Sequence, residues 1–165
     1  MHVAAGSLPA TAEDAAGRMR VVPCDDSRRG EWDAFVDAHP MAGYGHQSAT
    51  FALAAASSAV NHSLMLYDEG RLQGVLPLFL VGSRVLRVVP VKTLRSGFEF
   101  PAGPLLASTA PKTIDRHLAS LVGQAIAVAD RLGCDSLRLT YPTITDDRTA
   151  IERYGDLPLR VFVSV

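Results

Sequence analysis

The order of hydrophobic periodicities predicts an α+β domain, with a mixed, mostly antiparallel sheet and helices packed on its faces. Three observations carry this. Residues 63 to 91 hold apolar runs of strand type around a Glu69-Gly70 turn. Apolar residues from Ile114 to Leu132 recur at helical spacing. The full order reads β, α, α, a three-strand meander, a long helix, β, a short α and β.

Residues 1–18 are small, polar and punctuated by Pro and Gly, which predicts a mobile leader. A single domain over 19–165 suits the length, since 165 residues exceed what one core needs and fall short of two. "MRVVPC" reads as the first strand. "DDS" then offers N-cap groups to a helix whose Trp32, Phe35 and Val36 share one face, and which stops before His39-Pro40. After the glycine-punctuated "MAGYGHQ", Ser48 is placed to cap a second helix, "ATFALAAASSA".

"HSLMLYD" and "RLQGVLPLFLV" form the predicted hairpin, and "RVLRVVPV" a third strand. Pro77 lies inside the second of these. Proline donates no ladder hydrogen bond, so it marks an edge, a bulge or a splay. Residues 92–108, "KTLRSGFEFPAGPLLAS", read as a long loop of the kind that often carries function. Next comes a helix on which Leu118, Leu121, Val122, Ala125 and Ala129 continue the apolar face, with Gly133 as its left-handed cap. "SLRLTYP" is a strand, "TDDRTAIERYG" a short helix and "LPLRVFVSV" a last strand.

Composition narrows the function classes. The chain is 48% hydrophobic and 20% charged with a net charge of −1, a globular profile without the basic footprint of a DNA-binding surface. It has no apolar run of membrane-spanning length and no signal-peptide pattern, so a cytoplasmic location is expected. Cys24 and Cys134 are far apart with no metal-ligand spacing and read as small buried apolar residues. No metal is expected, because His39, His46, His62 and His117 fall at no ligand spacing either.

No GxSxG elbow, Walker loop or complete GxGxxG is present. Gly43-Tyr44-Gly45 is either a turn or half of a phosphate cradle. His46, at a helix entrance, is either a side chain facing a cleft or a loop-fixing residue. In the long loop, Arg95 offers a fork of donors, Glu99 a base, and Ser96 a polar contact for an anionic or amide-bearing ligand. Phe98 and Phe100 either bury the surroundings of Glu99 or plug the core.

The segments "EWDAFVDAHPMAGYGHQSATFALAAA", "LYDEGRLQGVLPLFLVGSRVL" and "GFEFPAGPLLAS" together resemble the FemAB-like branch of the GNAT acyltransferases, which includes the peptidoglycan interpeptide-bridge aminoacyltransferases. The likeness runs from about Met19 to the end. Trp32, His39-Pro40, His46 to Ser48, Gly74, Pro77-Leu78 and Gly103-Pro104 match the family pattern in order and spacing. The loop reads Ala102-Gly103-Pro104 where two glycines are common. On this resemblance the chain would correspond to the first of the family's two GNAT-like halves.

The resemblance implies transfer of an acyl or aminoacyl group from acyl-CoA or aminoacyl-tRNA to a small-molecule or peptide amine. Glu99 or His46 would be the base, Arg95 the substrate clamp, and Ser96 and Gly103 further substrate contacts. A second GNAT-like half or a second copy would complete the site. Arg71-Leu72-Gln73-Gly74-Val75-Leu76 is the nearest match to a Q/R-x-x-G-x-G/A pyrophosphate loop; it lies in the hairpin and ends in Leu. This chain would then form a wall of the acceptor cleft. The competing reading is a non-catalytic binding, scaffolding or dimerisation module.

Overall fold

The computed structural model describes residues 19–85, 88–140 and 160–164. Strand β1 (Met19–Pro23) leads through a 3-10 turn at Asp26–Arg28 to α1 (Arg29–Ala38). A second 3-10 turn at Tyr44–His46 precedes α2 (Ala49–Ala56). Then follow β2 (Val60–Asn61), β3 (Leu64–Asp68), β4 (Arg71–Leu76), β5 (Leu78–Val85), β6 (Val89–Ser96) and β7 (Leu105–Leu106). Helix α3 (Pro111–Arg131), β8 (Ser136–Thr140) and β9 (Arg160–Ser164) complete the order. The leader and the short helix expected within 142–159 lie outside the described residues.

The fold is α+β, as the periodicities predict. Strands order as β1-β3-β4-β7 and β2-β5-β6-β8-β9. Pairing is antiparallel except at β6–β8 and β8–β9. Parallel neighbours need a long crossover, and α3 supplies the one between β6 and β8.

Alternation along the strands sends side chains to two cores. Leu64 and Leu66 of β3, Leu76, Leu78, Leu94, Leu137 and Leu139 pack against Leu118, Leu121, Val122 and Ala125 of α3. Met65, Tyr67, Val75 and Phe79 pack on the opposite face with Trp32, Val36, Phe51 and Ala54 from α1 and α2. The sheet is thus a middle layer between α3 and the α1–α2 pair.

Local sequence explains the helix ends. Asp25 accepts from the Ser27 N–H at 3.1 Å and caps the first turn. Pro111 occupies the first turn of α3, where a missing N–H costs nothing. At the other end Gly133, at φ +60°, donates to Asp130 O, and Cys134 donates to Ala129 O. That is a Schellman closure, and glycine takes its left-handed position without strain. Ser48 departs from expectation. Its side chain makes no cap bond within α2. Instead the Asp33 carboxylate of α1 accepts from the Ser48 N–H at 3.0 Å and the Ser48 hydroxyl at 2.7 Å, putting negative charge at the start of α2.

The meander is also redrawn. "RLQGVLPLFLV" divides at Pro77 into β4 and β5, which belong to different ladders. The third strand starts later than expected: residues 85 and 89 close a hairpin, and β6 runs to Ser96. Arg95 and Ser96 therefore sit on a strand, not in a loop. The valine-rich stretch misled because β propensity alone does not fix a register; burial of Leu78 and Leu94 does, and it leaves Val88 and Val89 exposed.

Pro77 lies in an interrupted ladder, though between neighbours and not at a sheet edge. Its N–H is absent, and the next donor, Leu78 N–H, goes to the Ser63 hydroxyl at 3.1 Å. Ser63 in turn donates to Asn61 Oδ1 at 2.6 Å. A side chain thus does what a strand carbonyl would do. Ser63→Ala strips a buried N–H of its acceptor and is expected to cost about 1–3 kcal/mol, readable in a urea unfolding midpoint.

Candidate functional site

The sheet breaks along one line. The first strand pair is interrupted between Asn61 and Leu64, the next at Pro77, and the third between Ser96 and Leu105. Across that line Gly97 N–H reaches Pro77 O at 3.4 Å, a long bond, while His62 N–H donates to Leu78 O at 2.8 Å.

On β6 and β8 the parallel ladder covers three positions, the last of them Arg95 opposite Arg138. Leu94 and Leu137 face α3, so by alternation both arginines stand on the other face. Beyond this position Ser96 takes over: its buried hydroxyl accepts from Thr140 N–H at 2.7 Å and holds β8 where the backbone ladder has ended.

The chain then leaves the sheet through a tight loop. Gly97 has φ +73°, and a Cβ there would lie 2.3 Å from Phe100 O. Phe98 turns inward and packs on Phe79 with ring centroids 5.7 Å apart, so of its two readings the core plug holds. Glu99 is exposed at φ +58°, a region that non-glycine residues seldom occupy. Phe100 is also exposed and meets Tyr44 edge-on at 4.7 Å. The two phenylalanines thus leave Glu99 in solvent.

His46 and Gly103 are brought together. In the buried imidazole Nδ1 accepts from Gly43 N–H at 3.0 Å, and Nε2 pairs with Gly103 O at 3.1 Å. A carbonyl only accepts, so Nε2 carries the proton and the ring is neutral. The His46 carbonyl receives the Trp32 indole N–H at 2.7 Å. Gly45 fits beneath the same loop, where a Cβ would be 2.9 Å from Phe100 O. His46 is therefore a latch between the two loops, with the lone pair a base would offer already engaged.

Burial holds the His46 pKa below its ordinary 6.5, opposed by the bond from Nε2–H to Gly103 O, while the Gly43 N–H bond to Nδ1 favours the neutral ring. A depressed histidine pKa means that the unfolded chain takes up the proton first. The latch's contribution is complete above about pH 6.5 and is lost as pH falls toward the lower folded value. His62 shifts the same way, by burial and then by Arg131. His46→Gln should flatten, without abolishing, the loss of stability between about pH 7 and 5, measured as urea midpoints across that range.

Two participants lie outside the residues expected from sequence. Arg138 stands between two leucines in "SLRLT", and the alternation alone could have placed it on the face of Arg95. Nothing in the sequence marks Asp33 as the partner of Ser48. The thiols are quiet: burial, then Asp25, pushes Cys24 up to about 12, while Cys134, expected to be buried, is only partly so. Among the described residues no group of three or more His, Cys, Asp or Glu could hold a metal ion, and no helix is long and apolar enough to cross a membrane. A cleft between the β3–β4 turn and the first turns of α3 contains none of the site residues expected from sequence.

No protein-family model matches the chain, and no curated protein sequence matches it. Among solved structures, a transcriptional regulator from Bacillus halodurans C-125 superposes with a TM-score of 0.55 at 13% identity, over 89% of this chain and 98% of that one. Aminoglycoside antibiotic 6'-N-acetyltransferase AAC(6')-Ih from Acinetobacter baumannii superposes at 0.47 and 17% identity, over 82% and 86%. At the regulator's identity the likeness is one of fold.

Proposed function

We propose that the chain is a GNAT-like N-acyltransferase domain that takes its acyl group from acyl-CoA and forms part of the cleft for an amine acceptor. One observation supports this above the others. The parallel β6–β8 ladder stops at Arg95 and Arg138, and Arg95 pairs with Phe79 one position before the β5–β6 ladder ends at Leu78 and Ser96, beside the break at Pro77, so a guanidinium-bearing position lies next to where the sheet opens. The chain lacks a complete pyrophosphate loop, and Arg95 supplies a guanidinium suited to phosphate oxygens. Acyl-CoA is preferred to aminoacyl-tRNA because a net charge of −1 provides little attraction for a polynucleotide.

In the reaction the acceptor nitrogen attacks the thioester carbonyl, the C–S bond breaks, and CoA leaves as its thiolate. The amine proton passes to a base. Glu99 is the base in this reading, since His46 has its lone pair engaged, while Ser96 and Gly103 keep the walls in place. The sequence resemblance makes the acceptor a small-molecule or peptide amine and calls for a second GNAT-like half or a second copy to complete the cleft. The test is a titration with acetyl-CoA, followed by thiol release in the presence of primary amines.

A scaffolding role has its own support: His46 is tied at both ring nitrogens and Glu99 stands in solvent, so the expected bases do not converge. Failure of acetyl-CoA to bind would favour that reading.

A further inference from the structure

At the far side of β4 from the sheet break lies an open cleft of about 500 Å³, within the size range of small-molecule sites. One wall is the β3–β4 hairpin, with Asp68, Glu69, Arg71 and Gln73. The other is the approach to α3 and its first two turns, with Ser108, Thr113 and His117. Every lining residue is polar.

The floor is fixed by one carboxylate oxygen. Asp68 Oδ2 receives Arg116 Nη2 at 2.5 Å and lies 3.0 Å from His117 Nε2, with the His117 side chain 1% exposed. This ties α3 to the hairpin and sets the distance between the walls. With Nε2–H donating to the carboxylate, Nδ1 is left as an acceptor, and it is buried without a hydrogen-bond partner. A buried acceptor without a donor is costly. The ring lines the cleft, and an O–H or N–H brought by an occupant would satisfy it.

Charge and composition narrow the occupant. Arg116 pairs with Asp68, and the lining residues Glu69 and Arg71 carry opposite charges, so the cleft has no excess of either sign with which to select an ion. It has no aromatic or aliphatic wall for an acyl chain or a base. It does have groups that both donate and accept, namely Gln73, Ser108 and Thr113. We propose that this cleft binds an uncharged, polyhydroxylated ligand of sugar size, independently of the acyl-transfer reading.

The test is an NMR titration of the full chain, following the imidazole nitrogens of His117, with D-glucose, D-galactose, N-acetyl-D-glucosamine and myo-inositol. Inorganic phosphate and putrescine serve as charged controls. Saturable movement of the Nδ1 resonance by at least one polyol is expected. Gln73→Ala and Thr113→Val should each weaken that binding by roughly 3- to 10-fold, with the unfolding midpoint near that of the parent. No movement with any of the four, or movement with phosphate or putrescine instead, overturns the proposal.

Discussion

Trp32→Ala is expected to lower folding stability by about 3–5 kcal/mol, the range for deleting a fully buried tryptophan. Trp32 is completely buried. Its ring meets Phe51 edge-on at 5.3 Å, and its indole N–H satisfies the His46 carbonyl. The alanine variant opens a cavity between α1, α2 and the sheet, and it also orphans a buried acceptor. Part of the His46 latch then loosens, so the loop ending at Gly103 should lose hydrogen-exchange protection together with α1. A midpoint shift worth less than about 1 kcal/mol would mean that the site closes over the gap, contrary to the packing described above. Trp32→Phe separates the two contributions: it keeps an aromatic core residue but removes the N–H, and should fall between parent and alanine variant.

Arg95→Ala should act on ligand binding far more than on folding. Arg95 is half-buried on β6 and opposite a second arginine, and its removal deletes a charged donor. Loss of a charged hydrogen bond is worth about 1.5–3 kcal/mol, or roughly 10- to 100-fold in acetyl-CoA affinity. The unfolding midpoint should stay within about 0.5 kcal/mol of the parent. Arg95→Lys keeps the charge and loses the planar fork, and recovery of only part of the affinity would identify bidentate recognition.

Elements written into local sequence were legible in advance. The spacing of Leu118, Leu121, Val122 and Ala125 reports α3 because a helical period and a buried stripe are the same fact. Gly133 announces its end for a comparable reason. Pro77 was legible as an interruption, since a missing N–H is a property of the residue itself. What depended on partners was not. The start of β6 is not fixed by local sequence, because valines at 88, 89 and 91 favour strand wherever they stand, and only pairing with β5 decides which of them face water. Ser48 looked like a cap, yet its partner Asp33 is fifteen residues away, and its side chain goes there. His46 could be read as either base or latch. Two backbone contacts, Gly43 and Gly103, decide it, and the second is 57 residues distant. His117 looks like a scattered histidine in sequence, because its carboxylate partner on β3 is 49 residues away.

The central claim, that the break in the sheet is the opening for an acyl donor, is tested most directly by titrating acetyl-CoA into the parent chain and Arg95→Ala in parallel. Stability should be read at each concentration. The parent should gain about 2.7 kcal/mol when ligand reaches 100 times its Kd, and the Arg95→Ala curve should lie roughly 10- to 100-fold to the right. A parent chain that gains nothing, or two curves that coincide, would contradict it.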